Sequence, residues 1–504
     1  MSSPLLLRLW SLYSPQTALS DDSQTVSFAV LLERANAVAN TLHSHGIQSG
    51  DRVVLLGPSS VHWVETFLGI VIAGAVAVPL APSYPPVELL WFANNAGAKA
   101  VIFAQSETDR AALMTHGRIS LRLEHITENV APAPLPHVPP EFDAHSTALL
   151  LYTSGTTGKP KGAMITHSNV AIQAELLQKV WAFSPSDTLL HALPLHHLHG
   201  LGISLFTSVL AGAHSRLLPK FDAHRIWDEM ANATVWMAVP TMYQKLFETL
   251  DSASPKQAET WQKNAAQLRL ATSGSAALPV RLAERWRLIT GCIPLERFGM
   301  TEIGVGLTNP LERNERRPGW VGLPPPTVEI RIIHEDGSDV SIGQGELVVR
   351  GPSIFKGYWD RPDATESAFR DGWFLTGDRA ERDEKGWVRL LGRTSVDILK
   401  SGGYKLSALE IEETLREHPA VREVAVIGLP DDTWGERVVA AIVPFVGREN
   451  ELTIDAVRQW AKELIAPYKV PRQVVLLENL PKNALGKVVK PDLIRALSAQ
   501  NPKV

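Results

Sequence analysis

The sequence has 504 residues, of which 45% are apolar and 20% are charged, with 49 basic and 53 acidic side chains and a formal net charge of −4. This length exceeds what one ordinary hydrophobic core holds and predicts at least two domains, while the near-balanced charge excludes a strongly basic nucleic-acid-binding surface. The single cysteine of the sequence, Cys292, excludes an intrachain disulfide and any cysteine-rich metal site.

The first four fifths of the chain alternate between helical and strand patterns. Amphipathic and apolar periodicity predicts helices at 28–45, 61–73 and 87–95, each followed by a strand, at 52–56, 75–80 and 100–103. Such alternation is typical of α/β proteins, in which helices cover parallel sheets. The apolar run 67–81 is broken by Gly69, Gly74 and Pro79 and is shorter than the roughly 20 residues that span a bilayer. It therefore predicts a buried helix that leads into a buried strand.

The first twelve residues resemble a signal peptide only weakly. Three leucines occur there, but a basic leader is lacking and Arg8 interrupts the apolar stretch. We therefore expect a soluble, cytoplasmic protein without membrane insertion.

The sequence pattern changes twice in the last third of the chain. Short alternating strands at 328–333, 345–350 and 386–391 predict a β-rich subdomain that ends the large domain. Beyond it, helices at 408–416 and 453–464 and strands at 421–428 and 438–444 predict a small α+β domain of about 110 residues. The predicted division is 1–394 for the large domain, 395–397 for a hinge and 398–504 for a mobile small domain.

The segment 152–162, which reads YTSGTTGKPKG, combines hydroxyls, glycines and lysines directly after the predicted strand 148–151. Glycines let backbone N–H groups approach an anion, hydroxyls add donors and lysine supplies positive charge. The spacing differs from that of a Walker A loop. We interpret the segment as a polyphosphate-binding loop.

This loop resembles the phosphate-binding signature of adenylate-forming enzymes, which include acyl-CoA synthetases, aryl-CoA ligases and peptide-synthetase adenylation domains. Other segments resemble further blocks of this family in the same order: 298–302 (FGMTE), 376–378 (TGD), 392–393 with 401–405, and 481–487 (PKNALGK). The resemblance covers nearly the whole chain. It implies an active site between a large and a small domain, in which a carboxylate attacks the α-phosphate of ATP and a thiol then displaces AMP.

The resemblance also implies roles for individual residues. The implied ATP- and AMP-binding residues are Thr153, Ser154, Gly155, Thr156, Thr157, Gly158, Lys161, Gly274, Ser275, Ala276, Phe298, Asp378 and Arg393. The implied catalytic residues are Thr301 at the α-phosphate, Glu302 as the Mg²⁺ ligand, Lys487 between the two reacting groups, and His197. Gly402 and Gly403 are implied to line the channel for CoA. Alternatives for two of these residues are a solvated turn for Asp378 and a surface lysine for Lys487.

Arg297 occupies a position where many family members have glycine. A buried guanidinium is costly without a partner, and a second carboxylate on the substrate would satisfy it. The alternative is an ion pair with a protein acid such as Glu296. His197 and His199 are further candidates for the acyl pocket, and Lys245 is a candidate either for the pocket or for the surface.

These segments, together with 393–398 and 431–435, resemble malonyl-CoA synthetases. The implied reaction joins malonate, with methylmalonate as an alternative acid, to CoA with the use of ATP and Mg²⁺. A medium-chain or aryl CoA ligase, and an adenylation protein that loads a carrier-protein pantetheine, are the other hypotheses.

Overall fold

The computed structural model describes residues 4–128, 131–153, 160–394, 396–401, 404–431, 433–483 and 486–500. The elements up to residue 180 are α1 (Pro4–Ser11), β1 (Thr17–Ser20), β2 (Thr25–Ser27), α2 (Phe28–Ser44), β3 (Arg52–Leu56), α3 (Val61–Ile72), β4 (Val76–Leu80), α4 (Pro86–Asn95), β5 (Ala100–Phe103), α5 (Thr108–Thr115), β6 (Ile119–Arg122), α6 (Leu123–Glu128), β7 (Thr147–Thr153), β8 (Lys161–Thr166) and α7 (His167–Val180). The elements from 188 to 308 are β9 (Thr188–His191), α8 (Phe206–Leu210), β10 (His214–Leu217), α9 (Ala223–Glu229), β11 (Val235–Ala238), α10 (Pro240–Ser252), α11 (Pro255–Ala266), β12 (Leu270–Ser273), α12 (Val280–Thr290), β13 (Leu295–Met300) and β14 (Gly304–Thr308).

The remaining elements form the β-rich region and the small domain. They are β15 (Glu329–Ile333), β16 (Gly343–Arg350), β17 (Gly357–Tyr358), α13 (Pro362–Ser367), β18 (Phe369–Arg370), β19 (Trp373–Arg382), β20 (Val388–Arg393), β21 (Ile398–Ser401), β22 (Tyr404–Ser407), α14 (Ala408–Arg416), β23 (Val421–Asp431), β24 (Gly435–Pro444), α15 (Ile454–Leu464), β25 (Gln473–Leu476) and α16 (Lys490–Gln500).

Two largely parallel sheets form the body of the large domain. One has the strand order β14-β13-β12-β11-β9-β10-β1-β2 and the other β17-β8-β7-β4-β3-β5-β6. Strands such as β4 and β5 are apolar at consecutive positions and buried along their whole length, because helices cover both faces of the sheet. The predicted α/β architecture is confirmed.

The apolar run 67–81 covers the second half of α3 and β4, and its residues are divided between two core clusters of the large domain. Three of the four leucines of α1, Leu5, Leu6 and Leu9, are fully buried in the main core, whereas Leu7 is exposed. Within the described part of the chain, no helix combines the length and the apolar character that crossing a membrane requires.

The β-rich region forms a sheet of its own, in the order β15-β16-β19-β18 with β20 beside β19. In the small domain, β22-β21-β24-β23 form a sheet with β25 beside β24. Helices α14 and α15 contribute to one core cluster of this domain and α16 to another. The core of the large domain ends at Val388 and that of the small domain begins at Leu399. The predicted hinge at 395–397 falls between these two positions and stays a prediction, and Ser395 lies outside the described residues.

Charged side chains form hydrogen bonds and ion pairs where the two domains are connected. The Arg393 backbone N–H donates to Oδ2 of Asp397 at 3.0 Å, and Lys490 Nζ lies 2.5 Å from Oδ1 of the same carboxylate. Lys490 is also 2.7 Å from Glu412 Oε1. Gly392 has φ +121°, and a Cβ there would lie 2.3 Å from the Cβ of Asp397, so only glycine fits. Asp397 and Lys490 therefore connect the end of β20 with α14 and α16.

Candidate active site

The predicted phosphate-binding loop connects β7 to β8, which pair in antiparallel fashion with Thr153 opposite Lys161. Five predicted ligands, Ser154, Gly155, Thr156, Thr157 and Gly158, lie outside the described residues. Lys161 at the base of the loop points its ammonium group over the ring of Tyr358, 4.4 Å from the ring centroid. Lys161 is therefore held at the edge of the cleft by a cation–π contact.

Thr301 and Glu302 lie in the tight turn between β13 and β14. Thr301 is half-buried, and Glu302 is buried with its Oε1 accepting a 2.8 Å hydrogen bond from the Tyr358 hydroxyl. Tyr358 thus links Glu302 to Lys161. The turn thereby places the Glu302 carboxylate near the ammonium group of Lys161, although these two residues are far apart in sequence.

Asp378 and Arg393 lie opposite each other on β19 and β20. Arg393 Nε is 2.9 Å from Asp378 Oδ1, and Arg393 Nη1 donates to the Thr376 carbonyl at 2.6 Å. The second carboxylate oxygen, Oδ2, is buried and has no hydrogen-bond partner in the part of the chain that the structure describes. Burial raises the pKa of Asp378 to about 6, against the opposing effect of the Arg393 and Lys487 charges. The free oxygen is suited to accept a hydrogen bond from a ribose hydroxyl.

Lys487 follows a turn that contacts the large domain. Gly486 has φ +74°, and a Cβ there would lie 3.1 Å from Thr241 Oγ1 on α10. Solvent reaches the Lys487 side chain, yet surrounding protein desolvates its amine, and this desolvation together with the Arg393 charge lowers its pKa. The structure therefore brings the predicted catalytic lysine to the predicted ribose pair. Residues 484 and 485 of the same block lie outside the described residues.

The predicted adenine-binding segment follows β12. Gly274 is buried, and both Ser275 and Ala276 are exposed. Ser275 adopts φ 67°, which is rare for a residue with a side chain. Phe298 is only 7% exposed and belongs to the main core, so little of its ring is available to a base. Its stacking on adenine stays a prediction.

Arg297 is buried between β12 and the segment that contains His199. Its side chain is 4% exposed, and among the described residues its Nε and Nη2 atoms have no hydrogen-bond partner. A Cβ on Gly274 would lie 2.5 Å from the Arg297 Cζ and Nε atoms, so glycine leaves the space that the guanidinium occupies. Burial alone lowers the pKa of Arg297 to about 9. The Nε and Nη2 donors of this buried cation are therefore not used by any described residue.

The alternative partner, Glu296, points to the opposite face of β13. Its Oε1 accepts a hydrogen bond from the Gly319 backbone N–H at 2.8 Å, and burial raises its pKa to about 8. Among the described residues, Arg297 has no ion pair with a carboxylate. Lys245 is exposed on α10 and does not supply a second cation to a buried pocket.

His199 begins a π-helical segment, His199–Leu205. π-helical turns are rare and occur frequently at functional sites. His199 Nδ1 is 3.1 Å from Ser275 Oγ, and its Nε2 is buried without a partner. Burial and the nearby Arg297 charge lower the pKa of His199 well below its usual value, so the ring is neutral at neutral pH. Burial also lowers the pKa of His197, to about 4.

The two residues that are predicted to line the CoA channel, Gly402 and Gly403, lie outside the described residues. Sequence reasoning missed the Tyr358 bridge and the link between His199 and Ser275. No local pattern marks either contact, because each joins side chains more than 50 positions apart.

Comparison with known proteins identifies the family of this chain. Residues 11–359 match the family model described as AMP-binding enzyme, and residues 410–487 match the AMP-binding enzyme C-terminal domain. A probable CoA ligase of Humulus lupulus is 41% identical, over 92% of this chain and 82% of its own. Mitochondrial malonate–CoA ligase of Mus musculus is 39% identical, over 98% and 91%. Malonate–CoA ligase of Arabidopsis thaliana is 40% identical, over 90% and 79%.

Solved structures are similar to this chain over nearly its whole length. ATP-bound MatB from Rhodopseudomonas palustris is 36% identical, with full coverage of both chains and a TM-score of 0.91. Apo MatB from the same organism, at the same identity, covers 98% of this chain and 99% of its own with a TM-score of 0.81. The sequence matches span both domains, and the chain belongs to the AMP-binding enzyme family.

Proposed function

We propose that this protein is an acid–thiol ligase that forms malonyl-CoA from malonate, ATP and CoA through an acyl-adenylate, with methylmalonate as a second acid. The observation that carries the choice of acid is the unpaired, buried guanidinium of Arg297. Relatives that are named malonate–CoA ligases, at about 40% identity, support the same choice.

A dicarboxylate explains why a cation is buried in the acyl pocket. A monocarboxylate would leave Arg297 desolvated and unpaired, whereas the distal carboxylate of malonate would accept two charge-assisted hydrogen bonds from its Nε and Nη2. The unpartnered Nε2 of the neutral His199 ring lies near that position and adds a polar contact. This arrangement disfavours a medium-chain or aryl acid, whose apolar body would face the guanidinium.

In the adenylation step, an oxygen of the proximal malonate carboxylate bonds to the α-phosphorus of ATP and the bond to pyrophosphate breaks. Positioning and charge neutralisation perform most of this chemistry. We assign Asp378 and Arg393 to the ribose, Thr301 to the α-phosphate, and Lys487 to the bridge between carboxylate and α-phosphate. The position of Lys487 beside the ribose pair supports this assignment.

Glu302 fits a magnesium ion that is held mainly by phosphate and water. It presents one carboxylate at the phosphate end of the cleft, and Mg²⁺ commonly takes only one or two protein carboxylates in nucleotide sites. When bound, the ion would neutralise charge on the transferring phosphates. Tyr358 orients the carboxylate of Glu302 by donating to Oε1.

In the second step, the CoA sulfur bonds to the acyl carbon and AMP leaves. We propose that the small domain, residues 398–504, turns about residues 395–397 between the two steps, so that Lys487 withdraws and the segment of Gly402 and Gly403 approaches the pantetheine. A cytoplasmic location stays a prediction, because some of the matched relatives are named mitochondrial.

The test is CoA-dependent AMP formation from malonate, methylmalonate, succinate, propionate, octanoate and benzoate. We expect malonate to be preferred over propionate by roughly 10⁴-fold in kcat/KM, because propionate leaves the buried cation unpaired. A holo carrier protein in place of CoA tests the remaining hypothesis. Preference for a monocarboxylate, or turnover only with the carrier protein, would contradict the proposal.

A further inference from the structure

Helix α12 of the large domain begins without a cap from its own segment. The residue before it is Pro279, which offers no side-chain hydrogen bond to the first turn. The first N–H groups of a helix lack intrahelical acceptors and form the positive end of the helix dipole. Here the Val280 N–H donates to Oε1 of Glu413 at 2.7 Å. Glu413 is on α14, so the small domain supplies the missing cap.

Two arginine side chains lie close to Glu413. The Arg281 side chain interacts with it electrostatically, and Arg416 Nη1 donates to its Oε2 at 3.2 Å. The nearby carboxyl of Glu296 is buried, with a pKa of about 8, and is largely protonated at neutral pH. It therefore does not repel Glu413 strongly.

This contact depends on the orientation of the small domain. The same orientation places Gly486 beside Thr241 and Lys487 next to the predicted ribose pair. The chain also superposes better on ATP-bound than on apo MatB. Turning the small domain about 395–397 would carry α14 away from α12 and leave the Val280 N–H without its acceptor.

We propose that Glu413 is a positioning residue that stabilises the adenylate-forming orientation by capping α12 across the domain boundary. The inference rests on the proposed two-step function. Glu413 touches neither substrate nor reacting atoms, and acts by setting how often Lys487 reaches the cleft. Loss of this hydrogen bond should then slow adenylation and should not slow thioester formation.

Two variants remove the contact from opposite sides. Glu413→Gln weakens the acceptor, and Val280→Pro deletes the donor at the first helical position, where proline is well tolerated. Pro279 is already extended, with ψ 129°, as a residue before proline prefers. Glu417→Gln, an exposed carboxylate that follows the same helix, is the matched control. The double variant Glu413→Gln/Val280→Pro should be no worse than the more severe single variant.

Domain orientation can be read directly from a spin-label distance. The single cysteine simplifies labelling: Cys292→Ala removes it, while Leu288→Cys on α12 and Val446→Cys in the small domain provide positions that are 84% and 91% exposed. With ATP alone, we expect Glu413→Gln and Val280→Pro to shift the ratio of the two orientations by about 3- to 30-fold relative to the parent. The control should leave the ratio unchanged.

Half-reaction assays complete the test. Acid-dependent ATP–pyrophosphate exchange should fall in both variants, while thioester formation from supplied malonyl-adenylate and CoA should stay at the parent rate or rise. Unchanged distances, or an equal loss of both half-reactions, would overturn the proposal. The distances do not depend on which acid is the substrate, so an error in the proposed acid would leave this readout intact.

Discussion

The unpaired guanidinium of Arg297 allows the proposed choice of acid to be tested by one substitution. Burial lowers its pKa from the usual value of an arginine to about 9, which corresponds to roughly 5 kcal/mol of lost solvation that no described carboxylate compensates. A distal carboxylate that recovers most of this free energy would be preferred over a methyl group by about 10⁴-fold, which is the discrimination expected of a site with a dedicated polar partner.

We therefore expect Arg297→Met, which keeps most of the volume but removes the charge, to lower kcat/KM for malonate by about 10³- to 10⁴-fold. The same variant should leave kcat/KM for propionate unchanged or raised. Because an unpaired buried charge disappears, the free energy of unfolding of the unliganded enzyme should rise by about 1–3 kcal/mol. Steady-state AMP formation and urea denaturation measure the two effects.

Arg316 is a matched control for the stability effect. It is also buried, but its guanidinium donates to the backbone carbonyls of Ile293, Pro310 and Leu311 at 2.7–3.2 Å. Arg316→Met should lower the free energy of unfolding by about 1–3 kcal/mol, because it leaves buried carbonyls unpaired, and should not change the ratio of malonate to propionate turnover. An Arg297→Met enzyme that keeps its malonate preference within tenfold would refute the reasoning.

Three further predictions concern the remaining groups of the site. Lys487→Ala should lose ATP–pyrophosphate exchange by about 10²-fold or more and still convert supplied malonyl-adenylate to thioester, whereas the exposed Lys482→Ala should affect neither half-reaction; equal losses in both assays would refute the assignment. Because the pKa of Asp378 is raised to about 6, its carboxyl gains a proton as pH falls through that value, and the KM for ATP should rise below pH 6. Asp378→Asn should raise this KM at all pH values and remove the extra pH dependence, and a profile identical to that of the parent would exclude the role. Gly274→Ala should displace the Arg297 guanidinium, since the new Cβ would lie 2.5 Å from it, and should raise the KM for malonate more than that for ATP; an unchanged malonate KM would show that the guanidinium does not contact the acid.

Much of the fold follows from local patterns in the sequence. The helices predicted at 28–45 and 61–73 are observed as Phe28–Ser44 and Val61–Ile72, and the predicted strand 52–56 as Arg52–Leu56. Periodicity and the burial of apolar runs are local properties, so they can be read without knowing the neighbours in space. The order of the family blocks is equally local, and it predicted the reaction class before any packing was known.

Only the tertiary structure shows which charged side chains form ion pairs. Glu296 and Arg297 are adjacent in sequence, yet the alternation of side chains along β13 sends them to opposite faces of the sheet. Arg297 is left without a carboxylate because the residues packed over it, His199 among them, come from a segment about a hundred positions away that carries none at that point.

The same holds for the groups that connect the two domains. The sequence by itself determined that Lys487 lies in a late glycine turn and that Asp378 follows another. The proximity of Lys487 to Asp378, and the hydrogen bond that Val280 donates to Glu413, depend on how the small domain docks on the large one. Such contacts result from packing over separations of more than a hundred residues, whereas local sequence patterns report only on residues within a few turns of helix or strand.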